Sequence, residues 1–76
     1  MLMYSKFLLE DKDDVIRLNR EATKANCKIN VSSDQIVIDA RSLLALFALI
    51  GREVNLVAPD HANPDDFINF VKRISK

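Results

Sequence analysis

The chain has 76 residues, carries 11 Lys and Arg against 11 Asp and Glu, and is 49% apolar with a single Gly. Balanced charge leaves no basic footprint for nucleic acid and no acidic tail, and that apolar share excludes a disordered chain. The length predicts one domain over residues 1–76, and the lone Cys27 excludes an internal disulfide and a cysteine-built zinc site.

Met3, Phe7 and Leu9 alternate with Tyr4, Lys6 and Leu8, which predicts a first strand. Glu10 to Asp14 then opens a helix. Asp11 is suited to the N-cap, Asp14 stands three residues on in the capping-box slot, and acids suit a first turn. Val15, Leu18, Ala22 and Ala25 follow at helical spacing as a narrow apolar stripe, and Asn26 is expected to close the helix as its C′ residue. Cys27–Val31 and Ile36–Ala40 flank Ser32-Ser33-Asp34-Gln35 and predict a hairpin, with Cys27 a buried thiol on a strand face.

Ser42 stands before a short apolar run and is placed to cap a helix that ends at Gly51. A helix this short cannot bury every apolar side chain it carries, so part of Leu43, Leu44 and Phe47 should stay exposed. Glu53–Ala58 predicts a further strand with Val54, Leu56 and Ala58 on one face, and Pro59-Asp60-His61-Ala62 a turn. Asn63-Pro64-Asp65-Asp66 is the clearest helix start: an N-cap, Pro at N1, then acids. Phe67, Phe70, Val71 and Ile74 supply its buried face, and Lys72, Arg73 and Lys76 suit its C-terminal end.

The order is β-α-β-β-α-β-α. An α+β open-faced sandwich satisfies it, with a four-stranded antiparallel sheet and helices stacked on one face. A ferredoxin-like fold is the alternative, since the same order without the last helix would fit it. No apolar run approaches the roughly 18 residues of a membrane span, and Met1–Lys6 has no charged segment followed by an apolar core, so a cytoplasmic protein is expected. No Ser-His-Asp grouping, Cys-His pair, Gly-rich phosphate loop or metal-ligand cluster appears, so no cofactor is expected.

Val37-Ile38-Asp39-Ala40-Arg41-Ser42 followed by the apolar helix resembles the regulatory-serine segment of HPr, the phosphocarrier of the bacterial sugar phosphotransferase system. The element order matches that family from end to end. The resemblance implies that Ser42 is the serine phosphorylated by an ATP-dependent kinase, and that Leu43, Leu44 and Phe47, with Arg41 beside them, form a partner-docking face. Counting back from Ser42 puts Asp11 where the family carries its phosphate-accepting histidine, and Asp13 on the arginine that follows. The family's Gly-[Ile/Leu]-His-Ala/Thr-Arg-Pro motif is absent, and the chain reads Leu9-Glu10-Asp11-Lys12-Asp13-Asp14.

A phosphocarrier site needs a neutral imidazole nitrogen, helix amides and a cation. Four carboxylates within one turn oppose a phosphoryl donor. The acids serve either as helix caps or as a mimic of the phosphorylated histidine. His61, the single histidine, is expected in a solvated loop at the other end of the sheet from Asp11. The chain is expected to be a non-catalytic HPr-like regulatory protein, and its resemblance to family members that lack the histidine implies a role in carbon-catabolite control. The same resemblance implies an HPr-type serine kinase or a LacI-type transcription regulator as partner, and no direct contact to nucleic acid or to membrane is expected. The alternatives are a phosphocarrier with an unusual acceptor and a structural interaction module.

Overall fold

In a computed structural model, which describes residues 3–75, seven elements follow the predicted order. They are β1 (Met3–Leu8), α1 (Lys12–Lys24), β2 (Asn30–Ser33), β3 (Ile36–Asp39), α2 (Leu43–Phe47), β4 (Glu53–Ala58) and α3 (Pro64–Ile74). The strands form one sheet in the order β1-β4-β2-β3, and every neighbouring pair is antiparallel. The chain closes on a helix, and α3 packs against α1 and β1. With α3 part of the core and the sheet ordered β1-β4-β2-β3, the architecture is the open-faced sandwich and not the ferredoxin-like alternative.

Strand alternation decides which face is covered. Val54, Leu56 and Ala58 are buried, as is Val31, which lies opposite Leu56. On the other face Tyr4 and Val37 are 68% and 64% exposed, so only one side of the sheet carries helices. From α1 the core takes Val15, Leu18 and Ala22; from α3 it takes Phe67, Phe70 and Ile74, while Val71 is half-buried at its margin. Asn63 caps α3 as predicted, its Oδ1 accepting from Asp65 N–H at 2.8 Å, with Pro64 in the first turn.

Three local expectations are corrected. Asn26 does not close α1 in a left-handed conformation. The helix ends through an extended Ala25 (φ −65°, ψ 146°), whose N–H bonds Ala22 O at 3.3 Å. Cys27 is half-buried in the connection before β2 rather than buried on a strand, because β2 begins at Asn30. The hairpin turn is tighter than the four residues predicted, since Ser33 pairs with Ile36 and only Asp34 and Gln35 lie between. Asp34 turns the chain at φ 53°, a conformation that a short polar side chain tolerates.

Candidate functional site

The start of α1 is closed by its own side chains. Asp11 Oδ1 accepts from Asp14 N–H at 3.1 Å, and Asp14 Oδ2 accepts from Glu10 N–H at 2.8 Å, a reciprocal pattern close to a capping box. Asp14 is 2% exposed, and its Oδ1 also accepts from Arg17 Nη2 at 2.8 Å. Arg17 is thereby drawn along the helix, with its Nε buried and unpartnered among the described residues. A cation that could meet an incoming phosphate at this turn is thus already engaged by a carboxylate. Asp11, at the position the resemblance gives to the acceptor histidine, is a helix cap.

His61 is exposed and lies at the other end of the sheet, as predicted. Strand β1 pairs Leu8 with Glu53 and Met3 with Ala58, so the segment after Ala58 leaves beside Met3, whereas Asp11 follows Leu8. Among the described residues, no group of three His, Cys, Asp or Glu side chains could hold a metal.

Helix α2 runs back along α1. Near its start, Asn19 Nδ2 donates to Ala40 O at 3.2 Å; past its end, Gly51 N–H donates to Leu9 O at 2.6 Å. Gly51 sits at φ 91°, where a side chain would be strained, so glycine suits the return turn. The helix proper is only Leu43–Phe47, and turns carry the chain from Ala48 to Gly51. Ser42 occupies the N-cap but does not cap as predicted: its side chain makes no capping hydrogen bond. Its backbone is used instead, the N–H donating to Asp39 O at 2.9 Å and the carbonyl accepting from Leu46 N–H at 3.1 Å. Ser42 is exposed, and among the described residues its hydroxyl enters no hydrogen bond.

Arg41 is not free to serve Ser42. Asp39 Oδ1 accepts from Arg41 N–H at 2.9 Å and from Nε at 3.3 Å, and Oδ2 accepts from Nη2 at 3.1 Å. These hydrogen bonds hold the Asp39 carboxyl below its ordinary range and push Arg41 up.

The two sides of α2 differ. Leu46 and Leu49 are buried in the core, while Leu44 is 85% exposed and Leu43 and Phe47 are 39% and 37% exposed. Ile50 continues the exposed strip at 38% and was not singled out from the sequence, although it stands three residues beyond Phe47. Ile16, 44% exposed, lies on α1 three residues before Asn19, the residue that meets the α2 approach. Its signal was readable as an isoleucine out of phase with the Val15-Leu18-Ala22 stripe.

No family model matches the chain, and no curated protein matches it in sequence. Its fold is nevertheless that of HPr phosphocarriers. HPr-C-His from Thermoanaerobacter tengcongensis superposes with a TM-score of 0.71 at 19% identity, covering 95% of this chain and 90% of its own. A phosphocarrier protein HPr from Bacillus anthracis gives 0.70 at 11% identity, covering 97% and 98%. The HPr-like α+β fold expected from the element order is present over nearly the whole chain. Among the described residues, no helix is long and apolar enough to cross a membrane.

Proposed function

We propose that this chain is a non-catalytic HPr-like regulatory protein connected with the sugar phosphotransferase system. It acts by presenting the outer face of α2 to a protein partner and is gated by phosphorylation of Ser42. The observation that carries the reading is the exposed apolar strip of Leu43, Leu44 and Phe47 on α2, continued by Ile50 in the turn after it, while Leu46 and Leu49 face the core. A small domain gains nothing in stability from leaving such a strip in water, whereas a partner would bury it. The exposed Ser42 hydroxyl, free of a capping bond, supports access by a kinase. On this reading the partner is an HPr-type serine kinase or a LacI-type transcription regulator.

Two arrangements support a binding role over phosphoryl relay. Asp11 is spent as a cap, and the Asp14 carboxylate neutralises Arg17 in the second turn, while the first turn carries Lys12 against Asp13 and Asp14. His61 lies too far along the sheet to replace an acceptor there. The test is incubation with phosphoenolpyruvate and the general phosphotransfer enzyme, and separately with an HPr serine kinase and ATP. The expected result is no label from the first and label from the second that is lost in Ser42→Ala. Acid-labile label from phosphoenolpyruvate, lost in His61→Ala, would sink the binding role. Failure of the kinase to label Ser42 would remove the gating.

A further inference from the structure

The sheet has two free edges, and they are guarded differently. The order β1-β4-β2-β3 leaves β1 and β3 outermost, each with a row of backbone groups that no other strand among the described residues takes up. Such rows are templates for a further strand, and proteins blunt them with Lys, Pro, a bulge or a covering element. At β1 the phase is fixed by Leu9 N–H, which donates to Arg52 O at 3.0 Å. Alternate residues of an antiparallel ladder bond the same neighbour. Leu9, Phe7 and Ser5 therefore bond β4, and the backbone of Tyr4, Lys6 and Leu8 faces outward. The middle of that edge is the exposed Lys6. A second β1 laid antiparallel about it sets lysine on lysine, which is unfavourable.

No such guard stands on β3. Ala40 N–H donates to Ile29 O at 2.9 Å, so Ala40, Ile38 and Ile36 bond β2, and the backbone of Val37 and Asp39 faces outward. The strand reads Ile36-Val37-Ile38-Asp39, without Lys or Pro, and its register with β2 has no bulge. Its one charge, Asp39, is already neutralised by Arg41. Val37 is exposed on the open face. Ile36 is 48% exposed on the face that carries the helices, so the helical layer stops short of this strand.

We infer that β3 is a self-association edge, pairing antiparallel with β3 of a second copy so that the two sheets run on as one. The register follows from the phase. Outward-facing groups must meet outward-facing groups, and a two-fold axis at Val37 achieves this with Val37 opposite the second copy's Val37. Ile36 then stands opposite the second copy's Ile38, and Asp39 comes level with the second copy's Gln35, whose amide can donate to the carboxylate. The strand is its own complement: one contact covers the exposed apolar side chains of both copies. Acidic and basic residues are equal in number, so two copies meet without net repulsion. Four residues make a short interface, so the association is weak, with a dissociation constant of about 0.1–1 mM.

The test is sedimentation equilibrium of the full chain from about 20 µM to about 2 mM, with hydrogen exchange of the backbone amides at both ends of that range. The mass should rise from 8.6 kDa toward twice that value, and exchange at the Val37 amide should slow severalfold while the Lys6 amide is unaffected. Val37→Lys puts two lysines opposite each other at the axis, and residue 37 is mostly in water, so the fold is kept. This variant should weaken association at least about tenfold, whereas Leu44→Ala should leave it unchanged. The inference is overturned if the mass stays at 8.6 kDa to the top of the range or grows past the dimer. It is equally overturned if Val37→Lys associates as well as the parent, if Leu44→Ala abolishes the dimer, or if protection falls on Lys6 rather than Val37.

Discussion

The starts of α1 and α2 look alike in sequence, each a capping residue before an apolar helix, and the structure treats them differently. At α1 the side chains of Asp11, Asp14 and Arg17 are tied to one another and to backbone amides. At α2 the Ser42 side chain makes no capping bond, and the residues after it place Leu44 almost wholly in solvent. Length accounts for the contrast. Thirteen residues let α1 bury a stripe several turns long and hold its first turn in fixed geometry. Five residues give α2 little more than one turn, held in place by Leu46 and Leu49. Asp11, Asp14 and Arg17 are engaged with one another at the start of α1, whereas the outer side of α2 stays in solvent.

The largest effect should separate the two sides of α2 itself. Leu46 is fully buried, so Leu46→Ala should cost about 2–4 kcal/mol, a large share of the stability of so small a domain. Leu44→Ala, on the opposite side, should change stability by less than about 0.5 kcal/mol while weakening a partner. Denaturant unfolding of both variants measures this. Equal costs would mean that α2 is core on both sides and offers no docking face.

Next in size is the buried pair at α1. Asp14→Ala removes the acceptor for Glu10 N–H and leaves the Arg17 guanidinium, itself about a quarter exposed, without its carboxylate. Breaking a fully buried pair costs roughly 3–5 kcal/mol, and partial access to water brings the expectation down to about 2–3 kcal/mol. A double variant that also replaces Arg17 should recover part of this loss, because no stranded cation remains. No recovery would show that the amide bond to Glu10, rather than the ion pair, carries the stability.

Much of this architecture was legible from residue spacing. The alternation in β1 and β4, the Asp11 and Asn63 caps and the buried faces of α1 and α3 follow from local pattern, and the structure realises each. The cap at Ser42 was not legible. Residue preference puts serine before the first turn, but whether its Oγ turns toward the helix amides depends on a backbone (φ −90°, ψ 94°) set by the preceding Asp39–Arg41 turn. Cys27 misled for a related reason: its alternation with Ile29 continued past the point where pairing begins at Asn30. The ion pair of Arg73 with Glu21 joins residues 52 positions apart, and no local periodicity could have announced it. The exposed face of α2 was visible as an excess of apolar residues, but that Ile50 joins Leu43, Leu44 and Phe47 in solvent while Leu46 and Leu49 turn inward needed the packing of α2 on α1.

The smallest effect sets the two caps directly against each other. Asp11→Ala removes a side-chain acceptor from Asp14 N–H and should cost about 1 kcal/mol. Ser42→Ala removes no capping bond, and the backbone bonds of residue 42 to Asp39 and Leu46 persist in alanine, so its cost should stay below about 0.5 kcal/mol. The sign matters for regulation. A hydroxyl that contributes nothing to the fold can be modified without loss of an existing bond, and a phosphate there would compete with Asp39 for Arg41 rather than find it free. Thermal unfolding of the two variants decides the matter. A Ser42→Ala cost equal to that of Asp11→Ala would mean that the hydroxyl caps α2 in solution. Phosphorylation would then have to break that bond before it could act on the strip formed by Leu43, Leu44 and Phe47.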